Sequence, residues 1–436
     1  MSLVSRPPVP ITSVLGRSLR FAGATATVLA VPASLFWLPV ATIPGLGRVT
    51  LSDLNLLSLW MVAALHILSR RSADPQRRLP MRMVGFSVLL AVLAAFGAFT
   101  SEWPSSPAFE FGLQMKRFGL AGVLPLSMYL FDSNATRKAL LLSLTLCTIA
   151  MLVFAISPDL REKYLAVATQ NEGFQAPADR MSGLVSNPND AAYVAVCLGT
   201  IVGTLIYARR AVGILRSLSF AGLFAMAIGA VVLSGSRSGA IGLMVGVLFL
   251  AFRGGWPRRA RIGILLFVGV TLVALGRTND VFQDRFRAAY THGPSEENFA
   301  GRVQAQWIVT MAATENPLGI GYKHFPEVTR KFCEGTTLSV VNGSDSIYFD
   351  TLLGTGFLGL LVLLGLYRDC WRYSRQIRGA SGRSVALVQA GLVALSVFGF
   401  ATVSPMSVFV APVAFSLVGC AIYVRPGERA AAGRSP

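Results

Sequence analysis

Charge is scarce in this sequence. Only 14% of its 436 residues are Asp, Glu, Lys or Arg, where a soluble domain of this size carries nearer a quarter. Acid is scarcer still, with 21 Asp and Glu against 39 Lys and Arg, and there are three histidines. No Cys/His spacing suits a zinc site, and no glycine-rich phosphate loop leads into Lys-Ser or Lys-Thr. The net charge of +18 would ordinarily suggest nucleic acid. Without such motifs, and with the basic residues sorted as described below, no nucleic-acid partner is expected. The five cysteines, Cys147, Cys197, Cys333, Cys370 and Cys420, are scattered. Of these only Cys333 is expected in an aqueous loop, which argues against a disulfide framework. The N-terminal stretch lacks a small-x-small cleavage site, so a retained first helix is expected. No internal repeat is apparent.

What fills the sequence instead is apolar. Hydrophobic residues make up 53% of the chain, gathered into runs. A run of about 20 apolar residues can cross the hydrocarbon core as a helix, which satisfies its own backbone hydrogen bonds. Such runs lie near 21–43, 51–69, 83–101, 113–131, 139–156, 191–208, 218–233, 239–252, 262–276, 350–367, 385–403 and 407–424. The fold class expected is therefore an all-α polytopic membrane protein of about twelve transmembrane helices. Residues 1–436 form a single integral membrane domain on this reading.

The arginines orient it. With the N-terminus inside, 25 of the 39 basic residues but only four of the 21 acids fall on the cytoplasmic side, giving +21 inside against −3 outside. Short loops rich in Lys and Arg stay in the cytoplasm. Two outside loops are long: 157–190, and 277–345 between the ninth and tenth spans. The second holds an amphipathic segment, 301–313, with Arg302, Gln306 and Val309 on one face and Trp307 and Met311 on another. It is expected to lie at the membrane interface or to cap the membrane domain.

Arginines outside the cytoplasm break the charge rule. Arg237 sits in a turn of roughly five residues between two spans. A guanidinium there is costly unless it is paired or faces water. It either snorkels to lipid headgroups or binds an anion, and the second reading is favoured. Ser234, Ser236 and Ser238 can cap the helix ends, and Gly235 and Gly239 permit a tight turn. Arg302 on the amphipathic segment and Arg180 before the sixth span have the same two readings. Together these guanidiniums suit a lipid-linked diphosphate, since Arg binds phosphate oxygens bidentately. Asn187-Pro188-Asn189 reads as a helix start, with Asn189 or Asp190 as cap. Residues 316–325 form a turn-rich link, in which His324 reads as a surface residue. His66 reads as packing, and His292 gives no pattern. Asp345, just before the tenth span, is either an N-cap or a carboxylate base for an incoming hydroxyl. Asp350 reads as structural.

Four blocks in order, RMSGLVSNPNDAA, LSGSRSGAIGLMVG, GRVQAQWIVTMAATENPLGIGYKHF and SDSIYFDTLLGTGFLG, resemble the O-antigen ligase and O-antigen polymerase superfamily over roughly residues 180–367. The resemblance implies a metal-independent, cofactor-free glycosyltransferase of the bacterial inner membrane. Such an enzyme takes a glycan from undecaprenyl diphosphate on the periplasmic face and passes it to a glycan or lipid A core acceptor. It implies that Arg237 and Arg302 engage the diphosphate, and it aligns Arg180 with a commonly basic position. Where ligases carry a His-Asn-x-Tyr-like pattern, this chain has Asp345 and Ser346. That departure looks more like the polymerase branch, with ligase as the alternative. A lipid-linked oligosaccharide transporter or flippase is a further reading. It is disfavoured by the short 209–217 link, where two-halved transporters usually have a long connection.

Overall fold

In the computed structural model the described residues are 14–36, 38–43, 47–69, 78–103, 105–157, 159–160, 162–163, 188–207, 214–253, 255–277, 283–284, 297–333, 344, 346–375, 382–400 and 411–420. They form an almost entirely helical protein. The helices are α1 (Val14–Leu35), α2 (Leu51–Ser69), α3 (Arg78–Thr100), α4 (Pro107–Gln114), α5 (Leu124–Leu130), α6 (Asn134–Ile156), α7 (Pro188–Tyr207), α8 (Ile214–Leu233), α9 (Arg237–Arg253), α10 (Arg258–Arg277), α11 (Glu297–Glu315), α12 (Phe325–Cys333), α13 (Ile347–Arg375), α14 (Gly382–Phe400) and α15 (Ala411–Gly419).

Five of these are long and apolar enough to cross a membrane: Gly16–Leu35, Leu51–Ser69, Arg78–Thr100, Asn134–Phe154 and Ile347–Arg375. Shorter apolar stretches run through Asn189–Leu205, Phe224–Leu233 and Val385–Phe400. Large apolar side chains such as Leu68, Phe99 and Leu361 stand exposed on these helices. Water would not tolerate so extensive an apolar surface on a soluble monomer, whereas lipid does. The chain is an all-α membrane protein.

One small sheet departs from that description. The first apolar run, expected as helix to residue 43, leaves the helix at Leu35. It then folds as an antiparallel hairpin of β1 (Pro39–Ile43) and β2 (Gly47–Thr50). Pro39 cannot donate to a continuing helix, and β-branched Val40, Thr42, Val49 and Thr50 fit a pleated ribbon. Thr50 then caps α2 in a reciprocal box: its N–H and hydroxyl donate to Asp53 Oδ2 at 2.8 and 2.9 Å, and Asp53 N–H returns to its hydroxyl at 3.3 Å.

Between α4 and α5 the helix does not stop. It passes through a π turn at Met115–Gly119 and a 3-10 turn at Leu120–Val123. The altered ladder leaves the Leu120 carbonyl to accept from the Trp60 indole N–H at 3.0 Å.

The most consequential irregularity lies in α13. Gly356 has φ 71 and ψ −173, a conformation essentially confined to glycine, and the helix breaks there. The turn 316–321 fills the break. Ile320 N–H donates to Leu353 O at 2.9 Å, Gly321 N–H to Gly354 O at 3.0 Å, and Phe357 N–H to Pro317 O at 3.1 Å. Inside a membrane domain, freed backbone groups must find partners within the protein, and this turn supplies them. The approach is so close that a Cβ on Gly356 would lie 2.3 Å from Pro317 O. Gly356→Ala is therefore expected to undock the turn and sharply lower accumulation of the protein in membranes. Quantitative immunoblotting of membrane fractions checks this, with Gly263→Ala, where nothing lies within 4 Å, as the silent control.

The main apolar core runs through most of the helices, with a smaller one where α11 and α12 meet α13 and another between α9 and α14; α9 runs along α14 and α3 along α13. Gly242 receives the Phe398 ring, and Gly246 meets Ala390 and Ala394. His66 is buried edge-on to Phe131 at 5.3 Å, as a packing residue should be. All five cysteines are free and buried. Cys333 is thus not in water as expected, because α12 turns Phe325, Val328 and Cys333 inward and leaves Glu327, Arg330 and Lys331 outward or at the edge.

Candidate functional site

The turn that carries Arg237 is built from its serines. α8 ends at Leu233, and Gly235 takes φ 59, so the chain reverses within three residues. Fully buried Ser234 donates to Val231 O at 2.7 Å and accepts from Ser236 N–H at 3.3 Å. Ser236, also fully buried, caps α9 by accepting from Gly239 N–H at 3.1 Å. Its hydroxyl donates to Asn189 Oδ1 at 3.0 Å in the first turn of α7. Asn189 therefore bridges two helices, and it does not serve as the cap expected of it, because Pro188 already opens the helix. Gly239 lends its N–H to the cap but does not make the bend. It is helical, and a Cβ there would strike Ala192 at 2.8 Å. Arg237 is the first residue of α9 and half-buried. A guanidinium there adds to the positive dipole end of the helix, an arrangement that favours anions.

The helix bearing Arg302 reaches the same end of the bundle. Gln306, one turn beyond Arg302 on α11, donates through Nε2 to Phe400 O at 3.3 Å. Ser346 Oγ donates to Gly399 O and Tyr348 Oη to Ser396 O, each at 3.0 Å. The open carbonyls at the end of α14 are thus taken by α11 and by the start of α13. Phe398 packs on Gly242, about 7.5 Å along α9 from Arg237, so the helices carrying Arg237 and Arg302 each touch the last turn of α14. Arg180, Asp345, Asn187 and His292 lie outside the described residues. Asp350 is structural, as expected: its Oδ1 accepts from both the N–H and the hydroxyl of Ser344, tying down the approach to α13.

Several residues that organise this end were not singled out from sequence. Glu110, fully buried on α4, accepts from the N–H of Tyr322 at 2.8 Å and of Lys323 at 2.9 Å. It thereby anchors the turn that fills the break in α13. The Tyr322 ring lies over Gly354 and under the Arg117 guanidinium, 6.0 Å from its centroid. Burial, then the nearby Asp350 carboxylate, pushes the Tyr322 phenol well above its ordinary range. Lys116 pairs with Asp53 at 3.5 Å. His324 is not simply a surface residue: its ring stacks on Trp103 at 6.5 Å and faces Glu327 at 3.7 Å. The charge argument that picked out Arg237 applies equally to Lys116 and Arg117, two cations near the start of the apolar run 113–131.

Against known proteins, no curated sequence matches the chain. Residues 221–364 match a family model described as O-antigen ligase. That stretch contains the Ser-Gly-Ser-Arg turn, α11 with Arg302, the 316–321 turn and the break in α13 that it fills. Three of the four motif blocks lie within it, and the match supports the resemblance to the O-antigen ligase and polymerase superfamily.

Proposed function

We propose that the protein is a membrane glycosyltransferase that polymerises oligosaccharide repeat units carried on undecaprenyl diphosphate at the periplasmic face of the bacterial inner membrane. About twelve spans with both termini in the cytoplasm put α11 and the Arg237 turn on that face. The observation that carries the reading is the Ser-capped turn that holds Arg237, half-buried, at the start of α9 within the family-matched stretch.

The chemistry follows from the substrates. The acceptor hydroxyl attacks the anomeric carbon of the donor, the bond from that carbon to the diphosphate oxygen breaks, and undecaprenyl diphosphate departs. Arg237 and Arg302, with Arg180, stabilise the charge that builds on the leaving phosphate, by the logic of an oxyanion site. Asp345 takes the acceptor's proton as the oxocarbenium-like centre is attacked. The donor bond is already activated, so neither nucleotide nor metal enters the proposed step. Tethering the donor in the bilayer lowers the entropic cost of the encounter. Asp345→Asn is expected to impair transfer with unchanged membrane abundance, read as shortened polymer. Normal polymer in that variant would leave Asp345 as a helix cap.

Ligation to a lipid A core is the second reading, favoured by the description of the matched family. The Asp345-Ser346 departure supports polymerisation. Deleting the chain and resolving the host's surface glycan on a gel separates them. Single repeats still attached to the core mean a polymerase was lost, and loss of all attached repeats means a ligase. Unchanged glycan would reject both.

A further inference from the structure

Between Val303 and Met311 the outward face of α11 is mostly apolar, flanked by the half-buried Arg302, Gln304 and Gln306. Ala305, Ile308, Val309, Ala312 and Ala313 are buried against the protein. On the opposite side Val303, Trp307 and Met311 recur every four residues and are 50%, 53% and 42% exposed, one apolar ridge along the helix. Two threonines share that side, and each spends its hydroxyl on the helix itself. Thr310 Oγ1 donates to Gln306 O at 2.8 Å and Thr314 Oγ1 to Met311 O at 2.6 Å. A helix in a hydrophilic loop should be polar outward. One that is apolar on both sides belongs in a core or in lipid.

The ridge ends at Glu315, which is exposed and paired with Lys331 at 3.1 Å. Just beyond α11 stands Leu318, itself exposed. The Leu318 carbonyl lies against Gly97 of α3, and its Cα and carbonyl carbon lie against Gly356 of α13. On those two helices Phe96, Phe99, Phe357 and Leu358 are exposed. Both are among the helices long and apolar enough to span, so these side chains face acyl chains. Past Glu315, Leu318 thus joins the end of α11 to the lipid-facing flank of α3 and α13.

The geometry points to α11 being sunk in the outer half of the bilayer, with Val303, Trp307 and Met311 seated among lipid acyl chains. Trp307 suits that depth, since its ring is apolar and its N–H can reach the headgroup layer. Arg302, next to Val303, is then held at the level of lipid phosphates with no loop motion needed to bring it there. This seating does not depend on the sugar chemistry proposed above, and it would stand if that chemistry proved otherwise.

Nitroxide labels test it on the full chain in vesicles of phosphatidylethanolamine and phosphatidylglycerol. The five native cysteines are buried, so Val303→Cys and Met311→Cys can be labelled selectively, with Lys331→Cys on the exposed side of α12 as reference. The expected result is relaxation by oxygen well above relaxation by a water-soluble nickel chelate at 303 and 311, and the reverse at 331. Nickel access at 303 and 311 equal to that at 331 would overturn the inference. So would shielding of 303 and 311 from both relaxants, which would mean that protein covers the ridge. Met311→Lys in a labelled Val303→Cys background adds a second reading, because a buried cation should lift the helix and raise nickel access at 303.

Discussion

Replacing Arg237 with lysine is expected to lower glycan transfer roughly 100-fold or more while the protein still inserts at its normal level. Lysine keeps the charge, so a residue that merely reaches for lipid headgroups would be served equally well by it. What lysine loses is the planar fork that grips two phosphate oxygens at once. The turn itself should survive, because its hydrogen bonds are made by Ser234, Gly235, Ser236 and Gly239. Polymer length on a gel, together with release of undecaprenyl diphosphate from a lipid-linked donor by the purified chain, reads the effect. Wild-type polymer length in the lysine variant would dismiss the anion-binding role.

Glu110→Ala is expected to have the largest structural effect of any single acid in the described residues. The carboxylate is fully buried and holds two backbone N–H groups, those of Tyr322 and Lys323. Each buried donor left without a partner costs about 1–3 kcal/mol. The loss therefore falls on the docking of the 316–325 turn, and through it on the broken α13, whose Leu353 and Gly354 carbonyls that turn satisfies. Limited trypsinolysis should then cut after Lys323 in the variant and spare it in the wild type, with a lower apparent melting temperature in detergent. Glu110→Gln should fall between, since its amide keeps one acceptor oxygen but turns an N–H toward the other backbone N–H. Unchanged resistance at Lys323 in Glu110→Ala would contradict the anchoring role.

Much of the architecture could be read from apolar runs, because a run of that length has few other solutions in lipid. A helix lies over part or all of each of the twelve marked segments, and five of those helices are long and apolar enough to span. The failure at 39–43 is instructive: an apolar, β-branched stretch after Leu38 looks the same to a hydropathy reading whether it forms helix or hairpin. The Arg237 turn was legible for a local reason. Its Ser-Gly-Ser spacing encodes the cap and the positive φ within five residues. The anchoring of 316–325 was not legible, because Glu110 acts on backbone groups more than two hundred positions away. The break at Gly356 was hidden similarly. Its Gly-Thr-Gly setting is unremarkable for an apolar span until Pro317, Ile320 and Gly321 supply its missing partners.

The account rests on guanidinium groups standing on the far side of the membrane from the cytoplasm. An impermeant maleimide applied to cells with a permeabilised outer membrane tests that most directly. Glu315→Cys, at the exposed end of α11, should be labelled in intact cells, and Arg258→Cys, exposed at the start of α10, only after lysis. The opposite pattern would place α11 in the cytosol, out of reach of a periplasmic lipid-linked donor, and would contradict the proposed function.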